Sequence, residues 1–522
     1  MVGWWCYEWG YALEKKLNNL LRTKRPEGPL ARVALYRDPL IVKHTGEEAP
    51  SLFEEERIGE SAWTEFGNFR LNVSPDRYLR DISVIKGMIR RGETYQINYT
   101  VKAHFSYTGD PTALYLALRS RQAVSYGGLL RDRDRWILCL SPELFVRREK
   151  GRIWSKPMKG TVRRGLTVAE DWELAKKLAS DPKSKAENVM IVDLLRNDIG
   201  RIAVPGTVNV TELFQVERYE TLFQMVSRIE GVLKAGTTWG DIFSALFPCG
   251  SVTGAPKIRA MEIIASLEAE PRGVYTGSLG FLAPDGSGVL NVAIRTAVLK
   301  GKEGELGLGS GIVADSDPKA EYKECKLKAR FFSAGRPKFE LLETMRWELK
   351  TGFFLLERHI ERMKSSAHYF GIPFNDEAFL AKAQEAVEKV DWNGERKGPL
   401  IVRVLLNREG YFTAEARPLT PARPSGPVPI GFVRGGPKAS ERFLYHKTTY
   451  RPWYEKALEE AERRGLFDLI FVDAKGRIRE GARTTFFVEF EEGSHLFTPP
   501  VHIGVLPGTL REEYLRRGLA EE

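Results

Sequence analysis

The sequence predicts an α+β/α/β fold class, built as two successive modules. Three observations point there. The chain has 522 residues, too many for one ordinary domain. Short runs that alternate apolar and polar residues are interleaved with amphipathic stretches of helical period. After Phe332 a short connection, SAGRPKFE, leads into new material that opens at Leu341–Arg346.

In chain order, Ser74–Arg91 reads as an amphipathic helix: Ser74 can cap it, Tyr78, Ile82, Ile85 and Ile89 share a face, and Gly92 ends it. The stretch ETYQINYT (93–100) follows as a strand. Two alternating runs, Trp136–Leu140 and Arg152–Trp154, read as neighbouring strands with a charged turn at Arg147–Gly151 between them. If they pair as a hairpin, Glu143 and Lys159 are carried to the same end of a sheet. Such a pair serves as acid and nucleophile where burial keeps the amine partly neutral. Taken alone, two surface charges are the plainer reading.

Ala186–Asn197 reads as a helix with Glu187 one turn before Ile191, and Pro318–Phe332 as another with Glu321 and Glu324 on one face. Carboxylates from separate helices suit a hard divalent ion such as magnesium, although an E-x-x-E on a helix is usually a solvated face. Phe247–Lys257 is glycine-rich and leads into the helix Pro256–Leu267, whose free backbone amides suit a carboxylate; by itself it is only a turn. In the second module Leu355–Phe370 has helical period.

Composition excludes more than it assigns. Hydrophobic residues make up 43% and charged residues 28%, an ordinary soluble globular balance. No apolar run is long enough to cross a bilayer, and the N-terminus lacks a signal-peptide pattern. The four cysteines lack C-x-x-C spacing, which predicts a reducing cytoplasm with neither disulfides nor zinc. The net charge of +10 is spread among acidic residues with no recognition helix or basic arm, so neither a nucleic acid nor a membrane partner is expected.

The segments SPELF (141–145) and KPMKGT (156–161) resemble signatures of the chorismate-utilising enzymes, the family of anthranilate, aminodeoxychorismate and isochorismate synthases. Others follow in the expected order: ETYQIN, AENVMIVDLLRNDIGR, FPCGSVTGAPKIRAMEII, RGVYTGSLG, AIRT and Gly309–Lys328. The resemblance implies a fold of antiparallel sheets packed with helices over residues 1–334 and chorismate as substrate. It implies Thr253, Gly254, Tyr275, Arg295, Gly309, Gly311 and Lys328 as chorismate-binding residues, and Glu187 and Glu324 as magnesium ligands with Glu321 behind them. Met1–Gly10 resembles a G-x-x-Y-E/D-x-G segment that lies well inside family members, so a missing or short N-terminal region is expected.

Three positions choose the branch. Isochorismate synthases carry a water-activating lysine where Gln96 stands. Anthranilate synthases resemble this pattern with alanine in place of Lys159, whereas aminodeoxychorismate synthases have lysine, and Gln224 stands where anthranilate synthases carry a histidine. The implied chemistry has Lys159 attack ring C2 while the C4 hydroxyl leaves, with Glu143 as general acid; ammonia then enters at C4 and expels the lysine. No cysteine lies in a nucleophile-elbow context, so a separate glutamine amidotransferase subunit is implied as the ammonia source.

Residues 338–522 resemble fold-type IV pyridoxal-phosphate enzymes through LLERHIERMKSSAHYF, HKTTYRPWYEKA, REGARTTFF and TPPVHIGVLPGTLR. The resemblance implies pyridoxal 5'-phosphate as cofactor, Lys447 as its Schiff-base lysine, and Glu480 facing the pyridine nitrogen. Arg362 and the backbone at Thr509–Leu510 would hold its phosphate. Leu510 stands where relatives often have threonine. The chain ends at Glu522, so a C-terminally incomplete module is expected, and a homodimer through it is open. Together the modules read as a bifunctional, cytoplasmic 4-aminobenzoate synthase of folate synthesis. The alternatives are an anthranilate synthase component fused to an amino-acid aminotransferase, or a C-terminal module that is only structural.

Overall fold

The computed structural model describes residues 1–40, 65–121, 124–333, 337–390, 398–419, 426–490, 493 and 495–522. Of the expected junction between 1–334 and 338–522, residues 334–336 lie outside the described residues. The chain forms two compact units: Met1–Arg163 with Ala175–Gly335, and Arg164–Leu174 with Arg336–Glu522.

Two antiparallel sheets organise the first unit. In the larger, the strands run in the order Asn209–Arg218, Leu222–Val232, Arg152–Lys156, Leu144–Glu149, Gly288–Asn291, Ser278–Leu282, Val2–Trp5, Ala31–Ala34, with Met158–Arg163 also paired to Leu222–Val232. The other is built on the long strand Gln96–Thr108, paired with Glu303–Ile312, Gly254–Ala255 and Glu65–Leu71. Thr296–Lys300, Arg135–Ser141 and Tyr126–Asp132 extend it.

The capped helix forms as expected, over Pro75–Arg90. Ser74 Oγ accepts from Arg77 N at 3.3 Å, and Tyr78, Ile82 and Ile85 are buried against the second sheet. Ile191, Leu195 and Ile199 of the helix Pro182–Gly200 likewise enter the core of the first sheet.

One expected pairing is wrong. Trp136–Leu140 lies in the second sheet, and the hairpin partner of Arg152–Lys156 is Leu144–Glu149. The turn is the two-residue Lys150–Gly151, with φ of 48° and 75°, the left-handed pair that matches strand twist. Pro142 has no N–H for a ladder. Ser141 Oγ donates to Val292 O at 2.6 Å and accepts from Glu143 N at 3.1 Å, so the chain crosses between sheets within three residues.

A buried cation ties the glycine-rich loop to the second sheet. Arg272 donates to Glu268 at 2.9 and 2.7 Å, to Val252 O at 2.8 Å and to Asn98 O at 2.5 Å, and its guanidinium lies 4.3 Å from the centre of the Tyr7 ring. Arg272→Ala strands the buried Glu268 carboxylate, and a loss of about 3–5 kcal/mol is expected, read as a fall in the urea midpoint.

The second unit has a four-stranded antiparallel sheet in the order Gly352–Phe353, Leu341–Glu348, Leu400–Leu406, Phe412–Pro418. Helices Leu356–Phe370 and Asp376–Glu388 pack on it through Met363, Ala367, Phe379 and Ala383. Ile430–Arg434 runs parallel to Asp468–Val472, which pairs with Ile478–Gly481. Among the described residues no helix is long and apolar enough to cross a membrane.

Candidate active site

Lys159 owes its direction to a bulge. Thr161 pairs with Gln224 and Met158 with Val226, so Lys159 and Gly160 together face the single residue Met225. Gly160 takes a φ of +86°, which a side chain would strain. The Lys159 amine thereby reaches the second sheet: a Cβ built on Gly311 would stand 3.3 Å from Lys159 Nζ and 2.6 Å from Gln96 Nε2. Gly311 thus keeps open the space above the amine. Glu143 is 3% exposed, with Oε1 buried and unbonded.

The electrostatics follow from burial. Desolvation pushes the Lys159 amine below the usual lysine range, opposed by the charges of Glu143 and Glu187. The same cause lifts the Glu143 carboxyl to about 7, opposed by Ser251, Lys159 and the Met158 backbone. A carboxyl whose proton affinity is raised towards neutrality, acting on an amine whose affinity is lowered, is an acid–nucleophile arrangement.

The other expected residues differ in what they offer. Arg295 stands at a φ of +51° with Nη1 buried and unbonded, and burial lowers its proton affinity to about 10. An anionic ligand would satisfy it. Gly307 makes room for the buried Tyr275 ring, since a Cβ there would fall 2.0 Å from Tyr275 Cγ. Gly254 pairs with Ile97, where a Cβ would meet Gln96 O at 2.1 Å. The Thr253 hydroxyl is turned inward and donates to Cys249 O at 3.2 Å and Gly250 O at 3.3 Å. Lys328 Nζ donates to Gly309 O at 2.8 Å and pairs with Glu324 at 2.8 Å.

Glu187 lies on the helix Pro182–Gly200, and Glu321 and Glu324 on Pro318–Ser333. Burial, and to a lesser degree the charge of Glu321, raises the proton affinity of Glu187, while Lys159 and Lys183 oppose it. Glu321 Oε1 accepts from Ser316 Oγ at 2.8 Å. Among the described residues no three or more His, Cys, Asp or Glu side chains gather as a metal cage.

In the second unit, burial lowers the Lys447 amine to about 8, helped by Arg362 and opposed by Glu343. Burial also raises Glu480 to about 7. Glu343, on the strand Leu341–Glu348, binds Arg362 through Nε at 2.8 Å and Nη2 at 2.6 Å, and His359 Nδ1 at 2.6 Å. These charges hold the Glu343 carboxyl at about 2 against its burial. Arg362 Nη1 donates to Pro507 O at 3.1 Å, so three of its five N–H donors are used and two are left for a ligand. A cavity of about 270 Å³ is lined by Arg362, Thr509, Pro507, Ser365 and His446 among others. Lys447 and Glu480 are not in its lining, and Leu510 is 42% exposed.

The reading of the sequence missed Glu343, which shapes Arg362, and used Gln96 only to argue against one branch. The charged LLETMR run was the available signal for Glu343.

Residues 1–334 match the chorismate binding enzyme model, and the chain belongs to that family. Residues 340–521 match amino-transferase class IV, so the chain is a fusion of the two. The probable chloroplastic aminodeoxychorismate synthase of Oryza sativa subsp. japonica is 45% identical over 267 residues, 50% of this chain and 30% of that protein. Anthranilate synthase component 1 of Aquifex aeolicus is 39% identical over 266 residues, 51% of this chain and 54% of that protein. Aminodeoxychorismate synthase component 1 of Escherichia coli is 36% identical over 329 residues, 60% of this chain and 73% of that protein. The chain thus spans about a third to a half of the length of the first two.

A class IV module implies pyridoxal phosphate. The residues present fit it: an amine of low proton affinity, a buried carboxyl, and an arginine with free donors at a cavity.

Proposed function

We propose that this chain makes 4-aminobenzoate for folate in two steps, residues 1–334 aminating chorismate and residues 338–522 eliminating pyruvate. The observation that carries the reading is the desolvated Lys159–Glu143 pair, with the Lys159 amine under Gly311. In the first step the Lys159 lone pair attacks ring C2, the C1=C2 pair moves to C1=C6 and the C5=C6 pair moves to C4=C5. The C4–O bond breaks, and Glu143 gives its proton so that water leaves. Ammonia then bonds to C4, the two ring double bonds shift back and the C2–N bond to Lys159 breaks; one proton of the added ammonium restores Glu143, leaving 4-amino-4-deoxychorismate and a free amine. Arg295 would fork onto a substrate carboxylate. Magnesium, for which Glu187 and Glu324 with Glu321 are the donors, would supply positive charge for the anionic substrate; it keeps several waters and needs few protein ligands. A separate glutamine amidotransferase subunit would deliver the ammonia.

In the second step Lys447, about half neutral at pH 8, takes the proton from C4 of the intermediate as the C3–O bond breaks and enolpyruvate leaves. Pyridoxal phosphate, when bound, supplies the electron sink for that step. Arg362 and the Thr509–Leu510 backbone would hold its phosphate, and Glu480 its ring nitrogen.

The matches to anthranilate synthases support a second reading, in which the first module makes anthranilate. Product analysis separates them: purified protein is given chorismate, ammonium and magnesium, with and without pyridoxal phosphate. Aminodeoxychorismate without the cofactor and 4-aminobenzoate with it are expected. Anthranilate would overturn the argument from Lys159, and aminodeoxychorismate accumulating unchanged would overturn the second step.

A further inference from the structure

Tyr454 takes no part in the chemistry above, yet it holds the residue that would face the cofactor ring. It stands in the first turn of the helix Pro452–Arg463, seven positions after Lys447 in the HKTTYRPWYEKA run. Its hydroxyl donates to Glu480 Oε1, while Glu480 Oε2 accepts Leu506 N–H at 3.1 Å. Each oxygen is therefore held by one bond, and turning the carboxylate breaks both. Each keeps a further lone pair for a ligand.

The charged groups around this pair are accounted for. Arg479 and Lys447 act on Glu480 through their charge, and Arg451 and Arg479 act on Tyr454. Arg479 spends its donors on carbonyls, Gly504 O at 3.0 Å and Pro437 O at 2.8 Å. Arg451 donates to Ala482 O at 2.6 Å. Among the described residues Tyr454 is the side chain that hydrogen-bonds Glu480. Its ring is fixed too: Phe471 meets it edge-on at 5.6 Å, and the Arg451 guanidinium lies 5.2 Å from its centre.

We propose that Tyr454 is a positioning residue, whose phenol holds the Glu480 carboxylate in the orientation that meets the ring nitrogen of a pyridoxal-type cofactor. The proposal rests on the assignment of Glu480 under the proposed function. A phenol donating to a carboxylate favours the ionised form, so it also opposes the burial that drives Glu480 towards its neutral form. Neutral Glu480 could not keep a ring nitrogen protonated.

The test is Tyr454→Phe in the full chain, which removes one oxygen and keeps the ring packing. The first readout uses no cofactor: Glu480 is titrated by carboxyl NMR with ¹³C-labelled glutamate, its resonance assigned by its loss in Glu480→Gln. The midpoint is expected to rise by about one pH unit; an unchanged midpoint overturns the proposal. The second readout is affinity for pyridoxal phosphate and for its analogue with carbon in place of the ring nitrogen. Tyr454→Phe is expected to weaken the first about tenfold and leave the second unchanged. Equal weakening of both means a purely structural tyrosine and overturns the proposal. If the unaltered protein binds both compounds alike, Glu480 does not read the ring nitrogen, and its assignment falls together with the proposal. If the unaltered protein discriminates and Tyr454→Phe discriminates equally, the proposal alone falls.

Discussion

Lys159→Ala is expected to lower aminodeoxychorismate formation by at least about three orders of magnitude, because it removes the amine that lies beside the space kept open by Gly311 and would act as nucleophile. Product formation from chorismate, ammonium and magnesium checks it, with the melting temperature as a control for folding. Full activity in the variant would remove Lys159 from the mechanism.

The pH profile carries the same prediction further. Glu143 must be protonated to act and Lys159 must be neutral. Below pH about 7 Glu143 holds its proton, so the rate rises with pH as the neutral fraction of Lys159 grows. Between the midpoints of the two groups the rate is level. Above both, Lys159 is neutral and the rate falls as Glu143 loses its remaining proton. Glu143→Gln should keep the rise and lose the alkaline fall, at an activity lower by roughly a hundredfold or more.

Lys447→Ala has the second largest expected effect: the visible absorbance of lysine-bound cofactor should disappear, and with it 4-aminobenzoate formation, while aminodeoxychorismate still accumulates. An unchanged spectrum on adding pyridoxal phosphate would remove Lys447 from its role. Burial lowers the Lys447 amine to about 8, so its neutral fraction at pH 7 exceeds that of an ordinary lysine by roughly two to three orders of magnitude. Cofactor attachment in the unaltered protein should therefore quicken from pH 6 to 8 and level off above it.

The two modules, their families and the helix over Pro75–Arg90 were legible from residues alone, because periodicity, caps and ordered motifs are properties of short stretches. Lys159 and Glu143 were legible as residue types, and so were Lys447, Glu480 and Arg362. Their surroundings were not. Alternation marks a strand but does not name its partner, so Trp136–Leu140 was paired with Arg152–Trp154, whereas Pro142 carries the chain to another sheet. The bulge that aims Lys159 depends on the register of Leu222–Val232, more than sixty positions away.

The same holds for the charges. Nothing local distinguishes Glu143 from a surface glutamate; its raised affinity for a proton comes from desolvation once the chain is folded around it, against the opposing effects of Ser251 and Lys159. Arg362 was expected to hold a phosphate, but nothing local shows that Glu343, from the strand Leu341–Glu348, takes one edge of its guanidinium. Tyr454 and Glu480 are 26 positions apart and meet through packing alone. Residue chemistry and local period are written in the order of the chain. Proton affinity and direction are set by desolvation and by contacts between distant segments, and these exist only once the chain is folded.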